Sequence, residues 1–110
     1  MRPTGTVTFL FTDLVGSARL WHQFPSEMEV ALARHDEMRR SAIAAYGGYI
    51  VATGGDGFAV AFERAAGAVD AAIAAQRLLG AESWPDGMAL SVRMGVHSGE
   101  AHERDGDYFG

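Results

Sequence analysis

Thr6-Val7-Thr8-Phe9-Leu10-Phe11-Thr12-Asp13-Leu14-Val15-Gly16-Ser17 is the stretch on which the reading of this chain turns. From Thr6 to Thr12 it is β-branched or aromatic almost throughout, the pattern of a central strand covered on both faces. The run stops at Asp13, and Gly16-Ser17 then opens a short helix with Leu20, Trp21 and Phe24 as its apolar face and Pro25 at its end. An acid at the end of a buried strand, followed by a glycine turn and a helix N-terminus, places a carboxylate beside free backbone N–H groups. Such a turn is suited to an anion.

Working outward, Ser26 begins a longer helix with a capping box, since Glu29 lies three residues on. Met28, Leu32, His35, Met38, Ala42 and Tyr46 form its apolar stripe at helical spacing, and Gly47-Gly48 stops it. Tyr49 to Thr53 and Phe58 to Phe62 read as two strands joined by the hairpin turn Gly54-Gly55-Asp56-Gly57. Arg64 to Leu79 is an alanine-rich helix with Ala68, Ala72, Ala75 and Leu79 inward and Gly80 at its end. Trp84-Pro85-Asp86-Gly87 is a turn, Met88 to His97 alternates as a strand, and the tail from Ser98 is polar. Strand, helix, helix, strand, strand, helix, strand predicts an α+β domain. Its antiparallel-containing sheet carries helices on one face, in the ferredoxin-like manner.

Composition bounds the function. At 110 residues the chain is one domain, able to bury roughly two-thirds of its unfolded surface. It has no cysteine, which removes disulfides, thiolate metal sites and cysteine nucleophiles. The net charge of −5 argues against binding nucleic acid or an anionic membrane, both of which need a positive field. All nine basic residues are arginine, so there is no lysine for a Schiff base or a phosphate-binding ammonium. Apolar runs such as Phe58 to Phe62 are far too short for a membrane segment, and no signal peptide precedes Asp13, so a cytoplasmic location is expected.

If the first strand and the hairpin are sheet neighbours, Asp13 and Asp56 reach the same edge. Two carboxylates without nearby His or Cys make the oxygen-rich surroundings preferred by Mg²⁺ or Mn²⁺. Two such ions, about 3.5–4 Å apart, polarise a phosphoryl group and activate a hydroxyl. Each acid also has a plainer use, Asp13 as a helix cap and Asp56 as a turn former.

Four motifs in order resemble the class III nucleotide cyclase catalytic domain: Phe9 to Ser17; Gly55-Asp56-Gly57-Phe58; Val92-Arg93-Met94-Gly95-Val96-His97-Ser98-Gly99-Glu100; and Gly106-Asp107-Tyr108-Phe109-Gly110. The similarity runs over essentially all of residues 1–110, as the N-terminal part of such a domain with its C-terminal part missing. The resemblance implies Asp13 and Asp56 as metal-binding aspartates, with the Leu14 carbonyl as a further ligand to two Mg²⁺ or Mn²⁺ ions. It implies Gly16 and Ser17 as the phosphate-cradling turn and Asp107 as the acid that reads adenine. The implied reaction converts ATP to cyclic AMP and pyrophosphate in a head-to-tail homodimer, with a regulatory or output domain attached beyond the C-terminus.

Three departures accompany the resemblance. Ala52 stands where the family has its purine-reading lysine, Ala18 replaces a common threonine, and the transition-state asparagine and arginine lie past the Gly110 motif. Without such charge donors the barrier rises by about 2.7–4 kcal/mol, so weak activity is expected of residues 1–110 alone. A catalytically degenerate, nucleotide- or partner-binding regulatory module is the alternative that Ala18 and Ala52 support. A diguanylate cyclase shares the glycine hairpin, but Gly57, Val15 and Ala18 stand where that family needs acids and a lysine. His97 and His102 lack a third ligand, and Trp21, Phe24, Met28 and Met38 are expected in the core. Arg39-Arg40 reads as a solvated helix face, with Asp36 able to pair with Arg40.

Overall fold

A computed structural model describes residues 3, 5–54, 57–84, 88, 90–104 and 107–109, of which 54, 102–104 and 107–109 are described by their backbone. The elements are β1 (Gly5–Leu14), α1 (Ser17–Gln23), α2 (Pro25–Ala45), β2 (Tyr49–Gly54), β3 (Gly57–Phe62), α3 (Ala65–Ala81), β4 (Val92–Arg104) and β5 (Asp107–Phe109). They form a five-stranded sheet in the order β2-β3-β1-β4-β5, with every neighbouring pair antiparallel. This is the expected α+β, ferredoxin-like arrangement with one further strand.

β1 is the central strand, flanked by β3 and β4, and it runs past Asp13 to Leu14. It is not covered evenly on both faces. Leu10, Thr12 and Leu14 are buried under the helices, whereas Phe11 on the other face is 49% exposed. On the helix side, Leu10, Phe58, Val60 and Phe62 pack against Ile43 of α2 and Ala68 and Ala71 of α3. The small alanines let α3 sit close to the sheet. The opposite face holds a smaller cluster of Val7, Ala61 and Ala101 with Phe9 and Val51.

Several local expectations are corrected. α2 starts at Pro25, not Ser26, and no side chain caps it, so the Ser26–Glu29 box does not form. Proline at the first helical turn loses no hydrogen bond, because that N–H has no partner in a helix. Gly47 ends α2 with φ 75°, as expected of a helix-stopping glycine. α3 continues through Gly80 to Ala81, and its buried stripe uses Ala71 where Ala72 was expected. Trp21 is 39% exposed and lies outside the core, while Met28 and Met38 are buried and Phe24 packs against a buried cluster.

β4 begins at Val92 instead of Met88. Met88 and Leu90 turn inward instead, against Leu14, Leu20, Met28 and Ala31. The polar stretch from Ser98 to Arg104 is the second half of β4. Its backbone pairs with β1 from Gly99 opposite Val7 to Ala101 opposite Gly5, and Ser98 bonds Thr8 hydroxyl to hydroxyl at 2.6 Å. Strand character here comes from backbone pairing, so polar side chains are tolerated where they face solvent. Of the expected turn at 84–87, residues 85–87 lie outside the described residues. Trp84 donates its indole N–H to the Leu79 carbonyl at 3.3 Å, and its ring meets that of His35. Arg34 joins α2 to the chain just past α3 through Glu82 at 3.2 Å, and that carboxylate holds the guanidinium above its ordinary pKa.

Candidate active site

The end of β1 carries the first group of interest. The pleat that buries Thr12 and Leu14 turns Asp13 outward, with its side chain 52% exposed. Directly opposite in the β1–β4 ladder stands Arg93, whose Nη2 donates to Asp13 Oδ2 at 2.5 Å. Arg93 belongs to the motif Val92 to Glu100, and the sequence alone gives it no role. The signal that would have found it is register, since an arginine at the start of a strand antiparallel to β1 has to fall near Asp13.

Past Leu14 the chain turns sharply. Val15 N–H donates to the Ser91 carbonyl at 2.9 Å, and Gly16 adopts the left-handed conformation at φ 66°. This conformation suits glycine and lets Ser17 begin α1 at once. No side chain caps α1, and no acid lies in its first turn. Ala18 lies exposed on α1, and Ala52 lies exposed on β2.

Asp56 lies outside the described residues. Gly54 and Gly57 are paired as the last rung of the β2–β3 hairpin. Gly57 presses so closely on β1 that a β-carbon there would lie 2.5 Å from the Thr12 carbonyl oxygen and 3.8 Å from the Asp13 Cα. The start of β3 therefore abuts the backbone of Asp13, as the sheet-neighbour argument requires. That contact also leaves no room at position 57 for the acidic residue of a diguanylate cyclase hairpin.

Beneath this junction lies a buried polar group that sequence reasoning placed in solvent. Arg39 of α2 is 1% exposed, the opposite of a solvated helix face. Its Nη1 donates to Thr12 Oγ1 at 3.2 Å, it pairs with Asp36, and its guanidinium carbon stands 4.5 Å from the centre of the Phe58 ring. Asp36 thus pairs with Arg39 rather than Arg40, while Arg40 reaches the same ring at 5.1 Å.

Asp107 does not join the group. It opens β5, paired with Arg104 at the far end of β4, whereas Asp13 faces Arg93 at the near end. At the usual strand rise of about 3.3 Å per residue, the two ends of β4 lie on the order of 35 Å apart. Leu14, Gly16 and Ser17 follow Asp13 in the chain, so of the described residues of the sequence-expected site all but Asp107 lie around the end of β1.

The donors present are hard oxygens, the Asp13 carboxylate and the Leu14 carbonyl, and this donor chemistry fits Mg²⁺ or Mn²⁺ better than softer metals. Among the described residues there is no cluster of three or more His, Cys, Asp or Glu that would make a separate metal site. No helix among them is long and apolar enough to cross a membrane.

A family profile described as the adenylate and guanylate cyclase catalytic domain matches residues 1–104. An adenylate cyclase of Lachancea kluyveri is 38% identical over 88% of this chain, which spans 6% of that protein. Among solved structures, a monomeric adenylate cyclase from Trypanosoma brucei superposes with a TM-score of 0.87 at 28% identity, covering 99% of this chain and 65% of its own. An adenylate/guanylate cyclase/hydrolase from Silicibacter pomeroyi gives a TM-score of 0.75 at 30% identity, covering 96% of this chain and 62% of its own.

Proposed function

Since this chain belongs to the family of adenylate and guanylate cyclase catalytic domains, we propose that residues 1–110 are part of an adenylate cyclase domain acting in intracellular signalling in the cytoplasm. The substrate is ATP, and the products are 3′,5′-cyclic AMP and pyrophosphate. In that reaction the ribose 3′-oxygen bonds to the α-phosphorus, the bond from that phosphorus to the bridging oxygen of pyrophosphate breaks, and the hydroxyl proton is released. The relatives named adenylate cyclase support ATP over GTP.

Asp13, the Leu14 carbonyl and Asp56 would hold two Mg²⁺ or Mn²⁺ ions. When bound, such ions neutralise phosphate charge and acidify a hydroxyl. The protein's own share is positioning and charge. Gly16 and Ser17 offer backbone N–H groups to the phosphates, and Arg93, already facing Asp13, supplies a cation beside them. Asp107 reads the adenine.

The observation that carries the dimer is the separation of the two halves of this site. Asp13 and Asp107 stand at opposite ends of the long β4 ladder, so one copy cannot bring both to a single nucleotide. In a head-to-tail pair, the metal end of one copy meets the base-reading end of the other.

Mn²⁺-dependent turnover of ATP, with GTP in parallel and the cyclic products separated chromatographically, tests the reading. Cyclic AMP formation that Asp13→Asn abolishes supports it. Asp13→Asn and Asp107→Ala chains should each be inactive alone and recover activity when mixed, because a mixed pair keeps one intact site. Failure of the mixture to recover would remove the head-to-tail arrangement. No product from either nucleotide, with nucleotide still bound, would favour the degenerate regulatory module.

A further inference from the structure

The largest of the fully buried side chains is a charged one, and it lies under the candidate metal site. A guanidinium between a helix and a sheet is expensive to desolvate, and an apolar side chain of similar volume would fill the place without that cost. What Arg39 has in return is geometry. It reaches from α2 to the Thr12 hydroxyl, and that same oxygen accepts the backbone N–H of Phe58 at 3.2 Å. Its other face lies on the Phe58 ring, and Asp36 one turn back balances its charge. One oxygen thus ties together three elements: the end of β1, the start of β3 and the middle of α2.

The position of this knot gives it meaning. Thr12 precedes Asp13, and Phe58 lies two residues after Asp56. Gly57, between Asp56 and Phe58, lies so near the Thr12 carbonyl that a β-carbon would not fit, so the start of β3 is packed closely on the strand that carries Asp13.

We infer that Arg39 is a positioning residue: through Thr12 Oγ1 it fixes the start of β3 against the end of β1, and so sets the spacing between Asp13 and the hairpin that bears Asp56. This rests on the two-aspartate metal site proposed above. Arg39 itself touches neither metal nor substrate. It acts as outer-sphere groups act in metal sites, by holding the carriers of the ligands.

The test needs no turnover. Mn²⁺ binding to the chain is followed by the EPR signal of free Mn²⁺, and exchange of the Phe58 amide by NMR, in Arg39→Met, Arg39→Lys, Thr12→Val and Thr12→Ser. The expectation is a Mn²⁺ affinity about ten- to hundred-fold weaker in Arg39→Met and Thr12→Val, with faster Phe58 exchange. Thr12→Ser, which keeps the shared oxygen, should stay near the parent, and Arg39→Lys should fall between. A variant that is merely less stable would speed exchange throughout the sheet and not single out Phe58. If Arg39→Met does not fold, the contrast between Thr12→Val and Thr12→Ser decides.

A parent that binds Mn²⁺ through Asp13 and an Arg39→Met or Thr12→Val chain that binds it equally well overturn this inference alone. A parent whose Mn²⁺ binding does not depend on Asp13 overturns the metal-site reading and this inference with it.

Discussion

Arg93 and Asp13 are partners twice over: their Cα atoms are opposed in the β1–β4 ladder, and their side chains meet at 2.5 Å on the face of the sheet that Phe11 shares. The short distance does not make the pair a stabilising element. Both side chains are more than half exposed, and solvent screens such pairs to about 0–1 kcal/mol. Arg93→Ala should therefore leave the melting temperature almost unchanged. It should also tighten nucleotide-free Mn²⁺ binding, because the metal no longer displaces a guanidinium from Asp13. A melting transition lowered by the equivalent of several kcal/mol would mean that the arginine holds the sheet together instead.

Glycines at two positions should answer an alanine substitution with opposite signs. At Gly57 a β-carbon would meet the Thr12 carbonyl oxygen at 2.5 Å, and backbone cannot swing away as a side chain can. Gly57→Ala should cost about 1–3 kcal/mol in chemical denaturation and weaken Mn²⁺ binding as well. Gly80 is inside α3, and among the described residues nothing lies within 4 Å of its β-carbon site, so Gly80→Ala should add about 1 kcal/mol. Similar effects from the two would contradict the packing at the β1–β3 junction.

Those two glycines also mark what could be read in the sequence. The helix–sheet alternation was legible because period and punctuation agree: Leu10, Val60 and Phe62 on strands, Met28, His35, Met38 and Ala42 on one helix face, and Gly47 at a true left-handed stop. Gly80 misled because a glycine inside a helix and one at its end look alike in one dimension. The second half of β4 was hidden because its composition is polar, and its strand character comes from the ladder with β1. Arg93 became visible only with register, and Arg39 only with burial, since two adjacent arginines on a helix carry no mark of which one turns inward.

The hidden half of β4 gives a prediction of its own. Thr8 and Ser98 join hydroxyl to hydroxyl at 2.6 Å, on the helix side of the sheet and one rung before the opposed pair Val7 and Gly99. A neutral hydrogen bond of this kind is worth about 0.5–1.5 kcal/mol net. A double-mutant cycle of Thr8→Val and Ser98→Ala should return a coupling in that range. Because β4 also pairs with β5, a slip of this register would displace the end of the sheet that carries Asp107. A coupling of zero would show that the polar half of β4 is held by its backbone alone.

The glycine turn should separate phosphate binding from metal binding. Gly16 holds φ 66°, a conformation costing a side-chain-bearing residue about 1–2 kcal/mol. Among the described residues the nearest atom to its β-carbon site is the end of the Arg19 side chain at 3.8 Å, so Gly16→Ala suffers chiefly from backbone strain. Relaxing that strain means rotating the peptide that leads into Ser17, which turns the amide groups of the turn away from a phosphate. Asp13 lies three residues earlier, inside the β1–β4 ladder opposite Arg93, and need not follow. Gly16→Ala should thus weaken ATP binding by roughly tenfold, the loss of about one charge-assisted hydrogen bond, while Mn²⁺ binds the nucleotide-free chain as before. Loss of both together would place the turn among the metal's own supports; loss of neither would remove Gly16 and Ser17 from the phosphate site.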